Sequence, residues 1–401
     1  MPFLPKLKRL LPAAPHLPAT LPLSTRSQFP LIEPHPHRAR LAAALLREPS
    51  MIQISQPPRH AAAATARMVM GQERVLNALR QMLRIRRFEE QAEKQTSNLR
   101  PGTQIRKIAG FLHLYIGQEA VQTGFAQHLD PTIDATVTSY RCHALAILAG
   151  EPTTALMAEL FGKDTGNARG KGGSMHFFSK QSRMLGGHGI VGGQIPVGTG
   201  AAFSAKYLKT GGVSVTYLGD GAVPQGTFHE SLNLASLWKL PAIYVVENNR
   251  YGMGTACSRA VSVENIAEAK APGYGMVGLT CDGLDLYDVW ATAQEAVALA
   301  RSGRPVLVEA KTYRYRGHSA ADAGLYRSKD EVEAYKKLDP IERIKVDLLG
   351  CGWLTAAAWD TIEEDVAAEV ATAVRFAEDS PEPPLSELAT HVYAAIPAAK
   401  G

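Results

Sequence analysis

The sequence predicts an α/β fold, a doubly wound parallel sheet with helices on both faces and with C-terminal helices packed on it. The first observation is a strand–helix–strand succession, "GVSVTYL" (212–218), "PQGTFHESLNLASLWKL" (224–240) and "AIYVVE" (242–247). The second is another helix before a strand, "LYDVWATAQEAVALARSG" (286–303) and then "PVLVEAKTYRYRG" (305–317). Strands that alternate with helices along a chain are typical of right-handed parallel units.

The remaining elements fit the same layers. The pattern "QERVLNALRQMLRIRRFEEQAEKQ" (72–95) places its apolar residues on one helical stripe, and 110–129 predicts a short apolar segment followed by a second helix. Residues 135–150, "ATVTSYRCHALAILAG", predict a strand that leads into a buried helix. A long helix is predicted over 355–379, "TAAAWDTIEEDVAAEVATAVRFAED".

Residues 162–202 are dense in glycine, within "GKDTGNARGKGGSMHFF" and "LGGHGIVGGQIPVGTGAA". Glycine at this density weakens regular elements, so we expect the backbone to bend sharply or to approach something closely. The stretch "ARGKGGSMH" is compatible with a phosphate cradle and also with a purely structural loop.

Residues 1–70 differ from the rest in composition. They hold 12 of the 25 prolines, and nine Lys/Arg against two acids, Glu33 and Glu48. We expect a disordered N-terminal extension here, followed by one domain over 71–401. The basic, acid-poor composition fits an organellar presequence, while the methionines at 51, 68 and 70 also allow a downstream start after translated leader.

Composition argues against several classes of function. The whole chain carries +5 and residues 1–70 carry +7, so residues 71–401 carry −2, which does not indicate nucleic-acid binding. No apolar run approaches the ~20 residues of a membrane-spanning helix, so no membrane span is expected. The four cysteines form no CxxC pair, which indicates a reducing compartment and no structural zinc.

Polar residues stand at the ends of two consecutive predicted strands. Asp220 lies between two glycines after the first strand, and Asn249 closes "ENN" after the second. The carboxyl ends of parallel strands form the ligand-binding edge of such a sheet. Carboxylate and amide oxygens suit Mg²⁺, which completes its shell with phosphate and water, and glycines let the backbone approach phosphate. GDG alone is usually a turn. The "ENN" that starts 26 residues after Gly221 makes a Mg²⁺-diphosphate site the more specific interpretation.

The GDG and ENN pair resembles the thiamin diphosphate motif. The stretch "GDGAVPQGTFHESLNLASLWKLPAIYVVENNRYGMGT" (219–255) is similar to the alpha subunits of the decarboxylating component of pyruvate dehydrogenase. The same family is matched, in order, by "GFLHLYIGQEA", "SYRCH", "GKGGSMHFF", "GGHGIVGGQIPVGTG" and "KTYRYRGHSAADAGLYRSKDEV", so the resemblance covers about residues 72–395. It implies the thiamin diphosphate-binding fold and an oxidoreductase that decarboxylates pyruvate.

The resemblance also implies a site. Mg²⁺ would be bound by the side chains of Asp220 and Asn249 and by the backbone carbonyl of Tyr251. The diphosphate would be contacted by Tyr140, Arg141, Gly221, Ala222 and His318. Gly189 and Val191 would hold the aminopyrimidine, and Ser179 would contact cofactor or substrate. Arg141 has a chemical reason as well, because its fork of donors suits phosphate oxygens.

Two histidines, His113 and His318, match family positions and are expected to bind the cofactor and to be catalytic. With a pKa near neutrality, either could deliver or take a proton as the substrate carboxylate leaves. His188 and His176 are expected to play no such role.

The resemblance implies partners, since activation of the cofactor needs a glutamate against its pyrimidine ring. No glutamate in this chain matches that role, and in the family it comes from a beta subunit. The expected unit is a heterotetramer of two alpha and two beta chains, inactive without beta. The two-carbon product would pass to the lipoyl group of an acyltransferase component, toward acetyl-CoA.

Three alternatives remain. An acetoin or branched-chain 2-oxoacid dehydrogenase alpha subunit is the first, although "RYGMGT" and "GHSAADAGLYR" favour pyruvate. A nicotinamide-binding oxidoreductase would also be doubly wound, but it should show GxGxxG directly after a strand, and "GHGIVGG" follows no clear predicted strand. A catalytically silent scaffold is the third, disfavoured because Asp220, Asn249 and His318 are present.

The loop that follows His318 matches a regulatory loop of the family. Ser319 is retained, whereas other serines of animal relatives are missing, with Ala256 at one such position. Phosphorylation of Ser319 and a plain loop hydroxyl both stay open. These departures favour a bacterial, cytoplasmic enzyme, with the mitochondrial matrix or plastid stroma as alternatives if residues 1–70 are a presequence.

Overall fold

The computed structural model describes residues 62–390 and residue 392. Its main sheet has six strands, all paired in parallel, in the order β2-β1-β3-β4-β8-β7. The strands are β1 (Ala135–Ser139), β2 (Met184–His188), β3 (Ser214–Gly219), β4 (Ala242–Asn248), β7 (Val277–Asp282) and β8 (Val306–Lys311). A two-residue antiparallel pair, β5 (Tyr251–Gly252) and β6 (Thr255–Ala256), follows β4.

Helices precede, connect and follow these strands. Within the described residues they are α1 (Ala62–Met70), α2 (Gln72–Gln95), α3 (Glu119–Ala126), α4 (His143–Leu148), α5 (Thr153–Leu160), α6 (Gln194–Tyr207), α7 (Gly226–Leu237), α8 (Cys257–Ala260), α9 (Ile266–Lys270), α10 (Leu286–Arg301), α11 (Lys329–Lys336), α12 (Pro340–Gly350) and α13 (Ala356–Asp379). None of them is long and apolar enough to cross a membrane.

Both faces of the sheet are covered by helices. Along β4, Ile243 and Val245 join one apolar cluster with residues of α2, α3 and α10. The intervening Tyr244 and Val246 point the other way and join a second cluster with residues of α6 and α7. Because side chains alternate along a strand, a strand buried on both sides needs this uninterrupted apolar run. The predicted doubly wound parallel sheet is confirmed.

The C-terminal helix packs on the domain as predicted. Charged pairs link α2 to α13, with Arg84 Nη2 2.7 Å from a carboxylate oxygen of Glu369 and Arg87 Nη2 2.8 Å from one of Glu363. Beneath them Val366 and Val370 of α13 are buried.

The two strands of the main sheet that the sequence did not predict are its edges, β2 and β7. Each pairs with one neighbour only, and β2 carries two adjacent glycines, Gly186 and Gly187, so neither has the dense apolar pattern of a central strand.

This corrects the expectation that "GHGIVGG" follows no strand. It ends β2 and leads into α6. The next strand, β3, does not pair with β2, since β1 lies between them, so the glycines do not open the adjacent strand pair of a dinucleotide-binding unit.

The start of the folded part is also corrected. Residues 62–70, assigned to a disordered extension, form helix α1, whose Ala66 and Met70 are buried in a cluster with Leu286 and Trp290 of α10. The rest of that extension lies outside the described residues.

Candidate cofactor site

The predicted site residues gather at the carboxyl edge of the sheet. Strand register places Ser139 beside His188, Gly219 beside Glu247, and Asn248 beside Lys311. The segments that leave these positions carry Tyr140 and Arg141, Gly189 and Val191, Asp220 to Ala222, Asn249 and Tyr251, and His318. Five strands, β1, β2, β3, β4 and β8, therefore deliver the residues that follow them to one edge of the sheet.

Asp220 lies in a short 3-10 helix that directly follows β3 and is almost fully buried. Burial raises the pKa of this carboxyl to about 6, against the opposing effect of the Arg314 charge. Its Oδ2 atom has no hydrogen-bond partner among the described residues. A buried carboxylate oxygen without a partner is costly, so this atom is chemically suited to be a cation ligand.

The other two predicted metal ligands face the same cation. The Arg314 Nη1 atom donates to Asn249 Oδ1 at 2.7 Å and to the carbonyl oxygen of Tyr251 at 2.5 Å. The guanidinium thus bridges the amide oxygen and the backbone carbonyl, and its charge also acts on the Asp220 carboxyl. This set of hard oxygen donors fits Mg²⁺.

A second, cationic part of the edge suits an anion. Arg141 is buried, and its guanidinium donates to the carbonyl oxygens of Leu114 at 2.6 Å and of His318 at 2.9 Å. Burial lowers its pKa, and no carboxylate among the described residues forms an ion pair with it. Because an unpaired buried cation is unfavourable, a phosphate is the complement that this position lacks.

His113, Tyr140 and His318 form one aromatic cluster beside Arg141. The ring centroids of His113 lie 4.6 Å from Tyr140 and 5.1 Å from His318, and those of Tyr140 and His318 lie 5.2 Å apart. The sequence therefore grouped these residues correctly.

The expected near-neutral pKa of the two histidines is wrong. Burial, followed by the charge of Arg141, lowers the pKa of His113 to about 3 and that of His318 to about 4. Both rings are neutral at pH 7, and His113 Nδ1 has no partner among the described residues. A neutral imidazole accepts a hydrogen bond through one ring nitrogen and donates one through the other.

The glycines of the site allow neighbouring segments to pack closely against the backbone. A Cβ on Gly221 would lie 3.1 Å from the Cα of Gly252, so the GDG turn packs directly on the turn that carries Tyr251. Gly189 follows β2, and a Cβ there would lie 3.5 Å from the His176 ring. Ala222 is buried and Val191 is partly exposed at the same edge.

Ser179 is the predicted residue that the structure does not bring to this cluster. Its backbone pairs with Met184, the first residue of β2, and is therefore near the amino end of that strand. Its hydroxyl accepts from the backbone N–H of Ser182 at 3.3 Å, so it serves a tight turn.

The backbone of the "GKGGSMH" loop binds a carboxylate of the same chain. The buried carboxylate of Glu159 accepts four backbone N–H groups, from Ala168, Gly170, Gly172 and Gly173, at 2.8–2.9 Å. The structural interpretation of this loop is therefore the right one, and its donors are not free for phosphate.

Sequence reasoning missed several supporting residues. Arg314 and Gln118 contact Asn249 directly, the latter by accepting from Asn249 Nδ2 at 3.0 Å. A buried chain runs from Glu89 through His143 to the Ser174 hydroxyl, which accepts from the backbone N–H of His113 at 3.3 Å. All of these residues except Glu89, which is on α2, lie within the quoted motifs. The sequence of a motif does not show which of its polar residues contact a ligand and which only position the residues that do.

The comparison with known protein families decides the assignment. A profile described as dehydrogenase E1 component matches residues 80–386. The chain belongs to this family. The resemblance inferred from the motifs is confirmed, and membership implies an oxidoreductase that depends on thiamin diphosphate.

Curated relatives agree along most of the chain. A Rhizobium meliloti protein named pyruvate dehydrogenase E1 component subunit alpha is 47% identical over 319 residues, 79% of this chain and 89% of the relative. A protein of the same name from Rickettsia prowazekii is 44% identical over 322 residues, 80% of this chain and 96% of the relative. A rice protein named pyruvate dehydrogenase E1 component subunit alpha-3, chloroplastic, is 42% identical over 343 residues, which are 83% of this chain and 79% of the relative.

Proposed function

We propose that this chain is the alpha subunit of a pyruvate dehydrogenase (acetyl-transferring) that binds thiamin diphosphate through Mg²⁺. The observation that carries the proposal is a set of oxygen donors at one edge of the sheet: Asn249 Oδ1 and the Tyr251 carbonyl, which share one cationic partner, and the buried Asp220 Oδ2, which has no partner among the described residues. Arg141, which forms no ion pair within the described residues, leaves the end of the neighbouring strand β1. Metal ligands next to an anion receptor are what a Mg²⁺-diphosphate requires.

The chain contributes binding and orientation. Bound thiamin diphosphate supplies the electron sink that decarboxylation of a 2-oxoacid needs. Asp220, Asn249 and the Tyr251 carbonyl would hold the ion, in place of the Arg314 guanidinium that bonds to the last two. Arg141, Tyr140 and His318 hold the diphosphate, with Gly221 and Ala222 allowing the turn to lie against it. Gly189 and Val191 contact the pyrimidine through their backbone.

His113 acts as a hydrogen-bonding group. Its ring is neutral at pH 7 and its Nδ1 has no partner among the described residues, so it can form a hydrogen bond with substrate or cofactor. The Ser174 hydroxyl, itself fixed by His143, holds the backbone of His113 and so positions the ring.

The partners belong to the proposal as well. Glu247, the carboxylate before Asn249, accepts from Tyr115 and Gln122 and is committed to those contacts. As the family resemblance implies, we assign the activating glutamate to a beta chain in a heterotetramer, and the lipoyl acceptor to an acyltransferase component. The cytoplasm of a bacterium remains the predicted location, with an organelle as the alternative.

Reconstitution tests the proposal. The chain is produced with a beta-type partner and assayed with pyruvate, acetoin and 2-oxoisovalerate, with a lipoyl domain as acceptor. We expect decarboxylation and lipoyl acylation with pyruvate at the highest kcat/KM. A preference for acetoin or 2-oxoisovalerate would replace pyruvate by that substrate, and inactivity with all three would overturn the proposal.

A further inference from the structure

We propose that Glu331 and Tyr335 of helix α11 are positioning residues for the metal site, because they hold the Tyr251 carbonyl in place. This inference rests on the proposed function, in which that carbonyl is a Mg²⁺ ligand. We call the two side chains the α11 clamp. They act through the turn 250–253, which follows β4 and carries the ligand.

The turn 250–253 has an unfavourable backbone conformation. Arg250 has a φ of 75° and Met253 a φ of 52°, on either side of Tyr251 and Gly252. Residues with a Cβ rarely adopt this left-handed region, which glycine adopts readily. Residues in such conformations persist only where the surrounding contacts fix them, and they gather at functional sites. The contacts that fix this turn therefore bear on the ligand that it carries.

Glu331 holds the side chain of Tyr251. Its carboxylate oxygens accept from the Tyr251 hydroxyl at 3.0 and 3.1 Å, and one of them also accepts from the buried Tyr313 hydroxyl at 3.0 Å. Hydrogen bonds to a charged acceptor are stronger than neutral ones, and Glu331 is itself buried. The orientation of Tyr251, and with it the direction of its carbonyl oxygen, is thus restrained from the side-chain end.

Tyr335 holds the residue that precedes the ligand. Arg250 Nη1 donates to the Tyr335 hydroxyl at 2.7 Å, and the guanidinium carbon lies 5.9 Å from the centroid of the ring. The Tyr335 ring is fixed in turn, since it stacks on Tyr313 with centroids 4.0 Å apart and planes 4° from parallel. Tyr313 belongs to the segment that follows β8. The left-handed Arg250 is therefore tied to α11 and, through Tyr313, to the sheet.

The α11 clamp gains importance when an ion takes the place of Arg314. In the structure Arg314 donates to the carbonyl oxygens of Tyr251 at 2.5 Å and of Met253 at 2.7 Å. Mg²⁺ at the Tyr251 carbonyl would replace the first of these bonds. The bonds to Glu331 and Tyr335 involve side chains only, so they persist and keep the carbonyl oriented. A ligand that is oriented in advance costs less to order when the ion binds.

Three conservative substitutions, Glu331→Gln, Tyr251→Phe and Tyr335→Phe, test the clamp in the alpha–beta assembly. Calorimetric titration of thiamin diphosphate in saturating Mg²⁺ and in EDTA gives the ratio of the two cofactor affinities. We expect each substitution to lower this ratio by about tenfold, as loss of a group that orients a metal ligand typically does. The affinity in EDTA should stay unchanged, because the substitutions leave the residues that contact the diphosphate intact.

Tyr287→Phe is the matched control. The Tyr287 hydroxyl also donates to a carboxylate, that of Asp347 at 2.7 Å, but it lies in the cluster that α10 forms with α1 and α12. We expect the ratio to stay unchanged in this variant even where the midpoint of unfolding falls. The same reduction of the ratio in Tyr287→Phe as in the three test variants would overturn the inference.

An unchanged ratio in all three test variants would overturn the α11 clamp. A loss of affinity of equal size in Mg²⁺ and in EDTA would overturn it too, because it indicates a general disturbance of the fold. The proposed function would survive both results if the unaltered assembly binds the cofactor in a Mg²⁺-dependent way. Absence of Mg²⁺-dependent binding in the unaltered assembly would overturn the proposed function and the clamp together.

Discussion

Glu159 shows at the residue scale how one buried carboxylate can organise a loop. It satisfies four backbone N–H groups of residues 168–173, and a Cβ on Gly166 or Gly170 would collide with backbone nearby. The glycines are thus needed for close packing around the acid, and the loop then presents Ser174 to His113.

Glu159→Gln should destabilise the chain by about 2–4 kcal/mol, because a neutral amide accepts with only one of its two ends and leaves buried donors unpaired. Urea unfolding followed by fluorescence measures the change. Glu382→Gln, on an exposed ion pair with Lys163, should cost less than about 1 kcal/mol. Equal effects of the two substitutions would contradict the role of Glu159.

His113 should make the cofactor-free chain sensitive to acid. Its folded pKa of about 3 lies below the unfolded value near 6.5, so the stability it contributes is complete above pH 6.5 and is lost as pH falls toward 3. His113→Asn should therefore reduce the loss of unfolding free energy between pH 7 and pH 4.5 by about 1–2 kcal/mol. His318→Asn should act in the same direction. An unchanged pH dependence in both variants would show that the rings are not desolvated as described.

At the scale of elements, α6 meets the sheet at unusually short range. A Cβ on Gly198 would lie 1.8 Å from Thr216 Oγ1 on β3 and 3.0 Å from Val137 on β1. Two residues later Gly200 faces open space. Close packing against the sheet therefore requires glycine at 198 but not at 200.

In the isolated chain, we expect substitution by Ala to change the free energy of unfolding in opposite directions at the two positions. Gly198→Ala should destabilise by about 1–3 kcal/mol because helix and strand must separate. Gly200→Ala should stabilise by roughly 0.5–1 kcal/mol through helix propensity alone. Thermal and urea unfolding of both variants measure the difference, and the same sign for both would refute this packing.

The elements also show what the sequence could predict. The central strands β3, β4 and β8 were predictable because burial on both faces forces continuous apolar runs, and the GDG and ENN turns followed from their ends. The edge strands β2 and β7 were not, since a strand with one neighbour tolerates glycine and polar residues. The position of Ser179 beside the first residue of β2 was not predictable, because a family match fixes order along the chain and not the path of a turn. The histidine pKa values depend on burial, which no local pattern reveals.

On the scale of the whole molecule, the chain supplies one side of a site. In the proposed function it carries the ligands for the ion and the diphosphate at the edge of the sheet. Purified alone, we expect it to bind the cofactor weakly and not to decarboxylate pyruvate, because we assign the activating glutamate to the beta chain. Turnover by the isolated chain at a rate comparable to that of the assembled pair would contradict this division of labour.

The central claim is that Asp220, Asn249 and the Tyr251 carbonyl bind the Mg²⁺ that holds thiamin diphosphate. Calorimetric titration of the cofactor into the alpha–beta assembly, with Mg²⁺ and with EDTA, tests it most directly. The account predicts Mg²⁺-dependent binding in the unaltered assembly and at least about 100-fold weaker binding in Asp220→Ala, with unfolding and assembly nearly unchanged. Normal, Mg²⁺-dependent affinity in Asp220→Ala would contradict it.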